Sequence, residues 1–150
     1  MNYKHTQTGY FIICVALALV SLFVFILSSS DFEPIVFAVM LLIVLILISF
    51  TTLKVTIDET YLRIKFGYGI FWKKFPINEI VSARTVKNHW YYGWGIRLWL
   101  WPKMVIFNVS GFDAVEIKMK NGKVYRIGTD EPKQLENAIL QAIELKIEEF

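Results

Sequence analysis

Two long apolar runs without a single charge, residues 10–27 and 34–50, constrain this chain more than any other feature. The first is interrupted only by Ser21 and the second only by Ser49. A helix rises about 1.5 Å per residue and the hydrocarbon core of a bilayer is about 30 Å thick, so a span needs about 20 residues. The first run nearly reaches that length alone. The second reaches it if Thr51, Thr52 and Leu53 continue the helix. The expectation is a transmembrane hairpin over 10–53, with spans at about 10–28 and 34–53, preceded by an N-terminal arm at 1–9. A cleaved signal peptide is the alternative for the first run. Its apolar stretch exceeds the usual core of about 7–15 residues, and only three serines resemble a cleavage site.

The connector, Ser28-Ser29-Ser30-Asp31-Phe32-Glu33-Pro34, carries two acids and no base. Lys4 precedes the first run, and Lys54, Arg63 and Lys65 follow the second. Basic residues favour the cytoplasmic side, so the sequence predicts an inner-membrane, multi-pass protein with both termini cytoplasmic. Cys14, the only cysteine, lies in the first run, so no intramolecular disulfide forms. That agrees with a reducing compartment for the remainder.

Residues 54–150 form a mixed sequence the size of one small domain. Its basic excess is uneven: residues 54–103 hold nine Lys and Arg against three acids, and residues 104–150 hold six against eight. Leu53, Val55 and Ile57 alternate with polar neighbours, as do Leu62, Ile64 and Phe66, which predicts an antiparallel hairpin pairing Ile57 with Leu62 and Val55 with Ile64. Gly67-Tyr68-Gly69 reads as a turn. It matches a potassium-filter tripeptide, but cations flank it and no further span follows. Further strands are expected at 70–75, 81–86, 104–109, 114–120 and 123–128, with a short helical turn or corner at 76–80. In the last hairpin a two-residue Asn121-Gly122 turn would mix faces. A three-residue Lys120-Asn121-Gly122 loop sets Ile117 against Tyr125, Val115 against Ile127 and Glu116 against Arg126. Thr129 or Asp130 caps a closing helix whose stripe is Leu135, Ala138, Ile139, Ala142 and Ile143.

About seven short strands and one amphipathic helix predict a small antiparallel barrel or sandwich with the helix across one opening. The order of Ile57-Asp58-Glu59-Thr60-Tyr61-Leu62, Phe75-Pro76-Ile77-Asn78-Glu79-Ile80, Gly93-Trp94-Gly95-Ile96-Arg97, and the run from Val115 through Gly128-Thr129-Asp130-Glu131-Pro132 to Leu135 resembles bacterial membrane-anchored pleckstrin-homology-like (PH-like) proteins. The resemblance covers 53–145. It implies a mainly-β PH-like barrel with a C-terminal amphipathic helix behind the hairpin, and a non-catalytic role. Phosphoinositide-binding members resemble one another in a basic first loop. Here that loop is Asp58-Glu59-Thr60, so no selective phosphoinositide binding is expected.

No catalytic or metal-ligand constellation stands out around the two histidines, His5 and His89, or Cys14, so neither enzyme activity nor a cofactor is expected. Scattered cations on a membrane-tethered domain argue against nucleic acid. The remaining signal is 87–103, with Trp90, Tyr91, Tyr92, Trp94, Arg97, Trp99, Trp101 and Lys103. Trp and Tyr favour membrane interfaces because an apolar ring carries a polar group. Alternation sets Trp99 and Trp101 opposite Ile96, Leu98 and Leu100, and the expectation puts the leucines inward and the indoles at least partly exposed. Two readings stand side by side: a strand pair whose aromatics fill a small barrel core, or a candidate contact for the anionic membrane surface, a protein partner or a second copy of the chain. The rival role is an accessory subunit of a transporter or envelope enzyme, held through its spans.

Overall fold

The computed structural model describes residues 3–29, 31, 33–101 and 103–148. Ser30 and Phe32 of the predicted connector, Pro102 of the aromatic segment and both chain ends lie outside the described residues. Along the chain come β1 (Tyr3–Thr8), α1 (Tyr10–Ser29), α2 (Pro34–Ser49), β2 (Thr52–Ile57), β3 (Tyr61–Phe66) and β4 (Trp72–Pro76). A 3-10 turn at Ile77–Glu79 leads to β5 (Ile80–Lys87), and a second at Trp90–Tyr92 leads to β6 (Gly95–Leu100). Then come β7 (Lys103–Asn108), β8 (Asp113–Met119), β9 (Val124–Gly128) and α3 (Pro132–Glu148). The chain is thus an N-terminal apolar helical segment, a mainly-β body of two sheets and a C-terminal helix.

The first sheet runs β1-β2-β3-β4, antiparallel throughout. Ile57 pairs with Leu62 and Val55 with Ile64, as the alternation predicts. The second sheet runs β5-β8-β9-β7-β6, with β7 parallel to β9. Leu53, Val55, Leu62, Ile64, Phe66 and Phe75 of one sheet face Phe107, Val115, Ile117, Tyr125 and Ile127 of the other in one core. Each such side chain contributes about 1.5–3 kcal/mol relative to exposure.

Three expectations need correction. The second apolar run does not continue as helix to 53: α2 stops at Ser49, and Thr52 and Leu53 open β2, drawn into the ladder with β3. The body is not a closed barrel: β4 ends one sheet and β6 ends the other, and no backbone ladder joins them. The reason is the β6–β7 hairpin, inserted between β5 and β8. It joins the sheet through the parallel β7–β9 pair, which displaces β6 to the outer edge. In addition, residues 3–8 of the predicted arm are a strand, paired with β2 from Tyr3 opposite Ile57 to Thr8 opposite Thr52.

Helix α3 covers the gap on the other side of the sandwich. Its stripe of Leu135, Ala138, Ile139 and Ala142 is buried in the common core. The Thr129 hydroxyl accepts from the Glu131 N–H at 3.1 Å, which caps the helix start ahead of Pro132.

The last hairpin has the register that the apolar pattern requires. Glu116 lies opposite Arg126 and Ile117 opposite Tyr125, and Gly122 takes a φ of 79° in the three-residue turn. On the outer face Glu116 accepts from Arg126 Nε at 2.8 Å and from Arg84 on the neighbouring strand. Burial pushes the Glu116 carboxyl up, but the two guanidiniums outweigh it and hold the group below its ordinary 4.5. A depressed carboxylate contributes stability that is present above its unfolded value and lost as pH falls through the folded one. Glu116→Gln is therefore expected to cost about 1.5–3 kcal/mol at neutral pH, the range for hydrogen bonds to charged groups. The gap between wild type and variant should close as pH falls below 4.5. Urea titrations of both proteins at pH 7 and pH 3.5 check this, and a pH-independent gap would contradict it.

Candidate functional site

The helical segment leaves the body from between two paired strands. Gly9, which ends β1, donates its N–H to the Thr51 carbonyl at 2.7 Å, so the start of α1 and the end of α2 lie side by side. Both helices expose apolar side chains over most of their length. Only Ile12 and Ala16 of α1 and Ser49 of α2 are buried.

Aromatic rings form a collar where the helices meet the body. Phe11, in the first turn of α1, stacks on Trp94 at 4.6 Å between centroids. Phe50, just after α2, stacks on Phe71 at 4.9 Å and meets Phe66 edge-on at 5.2 Å. Gly67, with φ of 43°, brings the β3–β4 turn against the Ser49 backbone, where any Cβ would lie 2.5 Å from the carbonyl oxygen. The Trp94 Nε1 donor is buried with no acceptor among the described residues. Arg97 donates from Nε to the Trp94 carbonyl at 3.3 Å, which sets a cation beside the collar.

The aromatic segment divides into three groups. Trp94 and Arg97 belong to the collar. Tyr92 and Trp99 pack together at 4.9 Å on the outer face of the second sheet with Met104 and Ile106, and Tyr91 leans on the Trp99 ring at 5.6 Å. Tyr92 is buried and Trp99 half-buried, its Nε1 donating to the Trp101 carbonyl at 2.6 Å. Trp90, Trp101 and Lys103 are exposed. The segment does not form one surface, because β6 starts at the collar and runs away from it. Trp101 lies past its far end at Leu100, which is about 17 Å from Gly95 at 3.4 Å per residue.

Comparison with known protein families, curated proteins and solved structures finds no match. The site must therefore be argued from its own geometry. Among the described residues no group of three or more His, Cys, Asp and Glu is placed to hold a metal ion. The first loop is occupied by its own chain: Asp58 accepts from the N–H groups of Thr60 and Tyr61 at 2.9 and 2.8 Å and pairs with Arg63.

Strand β6 faces as expected, but its inner side is left uncovered. Ile96, Leu98 and Leu100 do face inward, opposite Phe107, Val105 and Lys103 of β7. No strand of the first sheet covers them, and Leu98 and Leu100 are each 78% exposed. Across the gap Ile70, Phe71 and Trp72 are exposed as well. The leucines that period-two alternation assigns to the core thus form the wall of an open cleft. The alternation locates the inner face correctly, but it carries no information about where the facing sheet stops.

Proposed function

We propose that this chain is a two-span inner-membrane protein whose β body rests against the cytoplasmic leaflet and acts as a binding or scaffolding module without chemistry of its own. The observation that carries the reading is the pairing of β1 with β2 around the helical segment. Two strands hydrogen-bonded residue by residue occupy the same side of a bilayer. A chain that leaves through α1 must then return, so the number of crossings is even. Helix α1, an apolar helix of 20 residues, is long enough to cross. Helix α2 has 16 residues, about 24 Å, and a bilayer accommodates a short span by local thinning or by snorkelling of its flanks.

The collar supports the body's placement. Phe11, Phe50, Phe71 and Trp94 gather at the level where both helices enter, the depth at which aromatic rings favour an interface. Residues 54–103 carry the basic excess, Arg97 among them lines the collar, and each cation near an anionic leaflet adds about 1 kcal/mol. The helix-plugged β body supports a PH-like ancestry for the domain, with the β6–β7 hairpin as an insertion.

Site-directed labelling tests the topology. With Cys14→Ala as background, a cysteine at Asp31 should react with a membrane-impermeant maleimide in intact cells. Cysteines at Lys4 and Lys133 should react only after permeabilisation. Labelling of Lys4 and Lys133 positions from opposite sides would refute two spans.

A further inference from the structure

We propose that the open gap between β4 and β6 is a groove for an anionic glycerophospholipid lifted from the bilayer, with its phosphate at the far end, away from the membrane helices. The inference rests on the two-span reading above and goes beyond it, from a surface that touches lipid to a site that takes one up.

Three apolar hollows follow one another along β6. The first, about 490 Å³, lies at the collar between Phe11, Phe50 and Ile96. The second, about 340 Å³, is the gap between the sheets and shares Ile96 with the first. The third, about 650 Å³, shares Leu98 and Val105 with the second and ends at Lys103 and Lys123. Neighbouring hollows share lining residues from the base of the helices to the turn beyond Leu100, where the third also takes in Trp99 and Met104 around the end of the sheet. These sizes fall in the usual range for small-molecule sites.

The polarity of the path selects the occupant. The walls are hydrocarbon and aromatic, and the charged residues lining it are Arg97, Lys73, Lys103 and Lys123, with no acid among them. Lys73, itself exposed, lies over the rings of Phe75 and Tyr125 at 5.9 and 4.9 Å, which sets its charge at the mouth of the gap. The collar end meets the helices, and the end with Lys103 and Lys123 lies about 17 Å away along the strand. A soluble anion would leave the apolar walls wet, and a neutral lipid would leave the lysines without a counter-charge. A lipid with acyl chains toward the collar and phosphate at Lys103 and Lys123 satisfies both ends. Strand β6 also lacks the usual protection of an exposed edge: its inward side chains are Ile96, Leu98 and Leu100, none of them charged.

The full chain in mixed phosphatidylcholine and phosphatidylglycerol vesicles, with a diazirine on one acyl chain of either lipid in parallel samples, gives the test. Crosslinks are expected on Leu98, Leu100 or Val105 as well as on α1 and α2. Leu98→Glu with Leu100→Glu should lower groove labelling about tenfold or more, because a carboxylate expels hydrocarbon. Both positions are exposed, so folding is retained. Lys103→Ala with Lys123→Ala should lower the preference for phosphatidylglycerol over phosphatidylcholine about tenfold. Labelling confined to α1 and α2 overturns the groove and leaves the membrane reading standing. Labelling that is equal for both lipids overturns the phosphate site. Groove residues crosslinked to a co-purifying protein instead of lipid also overturn it. Carbonate extraction of each variant reports the spans independently.

Discussion

Gly67→Asn is expected to destabilise the body by about 3 kcal/mol or more, the sum of a strained approach and displaced backbone. For a body of this size that is a drop of about 12 °C or more in the thermal midpoint. The new Cβ would lie 2.5 Å from the Ser49 carbonyl oxygen and 2.9 Å from its Cα. Both obstacles are backbone, so no rotamer change relieves the clash. Gly67 also donates its N–H to the Thr52 carbonyl at 3.0 Å, which ties the turn to the strand that follows α2. Asparagine tolerates positive φ better than other side chains, so the substitution isolates the steric term. Gly111→Asn supplies the control: its φ is 66°, and a Cβ there meets nothing within 4 Å. Near-UV circular dichroism of the detergent-solubilised full chain during heating reads both. Equal, small shifts at the two positions would show that the turn does not bear on the helix base.

Leu135→Ala combined with Ile139→Ala should abolish the cooperative transition altogether. Both side chains are fully buried between α3 and the sheets. Each truncation costs about 2–5 kcal/mol, with coupling between the two because they share a core. Total stabilities of domains are about 5–15 kcal/mol, so the pair removes most or all of it. The contrast is Leu98→Ala with Leu100→Ala, also two leucine-class truncations on an inner face. These side chains are exposed, and the change should stay within about 0.5 kcal/mol. Hydrogen exchange at β2, β8 and β9 distinguishes the two doubles. Comparable loss of protection in both would mean that the β4–β6 gap is closed in solution.

Much of this architecture is legible in the residues, and the illegible parts have specific causes. Alternation at Leu53, Val55 and Ile57 and at Leu62, Ile64 and Phe66 gives the β2–β3 register directly. The last hairpin is harder, because Asn121-Gly122 advertises a two-residue turn. There the burial of Ile117 and Tyr125 outweighs the dipeptide preference. Strand β1 escapes detection because Tyr-Lys-His-Thr-Gln-Thr has no apolar period. Its binding is polar: Gln7 donates to the Ser110 carbonyl at 3.0 Å, and His5 meets Asp130 and, at 3.3 Å, Glu131. Only the Thr and Tyr content hints at a strand. The parallel β7–β9 pair is likewise invisible, since the continuous apolar run from Met104 fits several neighbours. Of the aromatic segment, the sequence marks its importance but not its division. Trp94 meets Phe11 across more than eighty positions of chain, a contact that no local pattern encodes.

The polar strand at the start of the chain also imposes an order of events. During synthesis β1 emerges before the hydrophobic segment and has nothing to pair with until β2 has been made. It then completes the sheet by a contact that spans everything between, the kind of distant closure that slows folding. A chain in which only one of the two apolar helices had crossed a bilayer would have its first and second strands separated. It would carry an unpaired β2 edge, a signal for aggregation or proteolysis. The sheet therefore works as an assembly checkpoint: its first strand docks only after the apolar segment has taken its proper place.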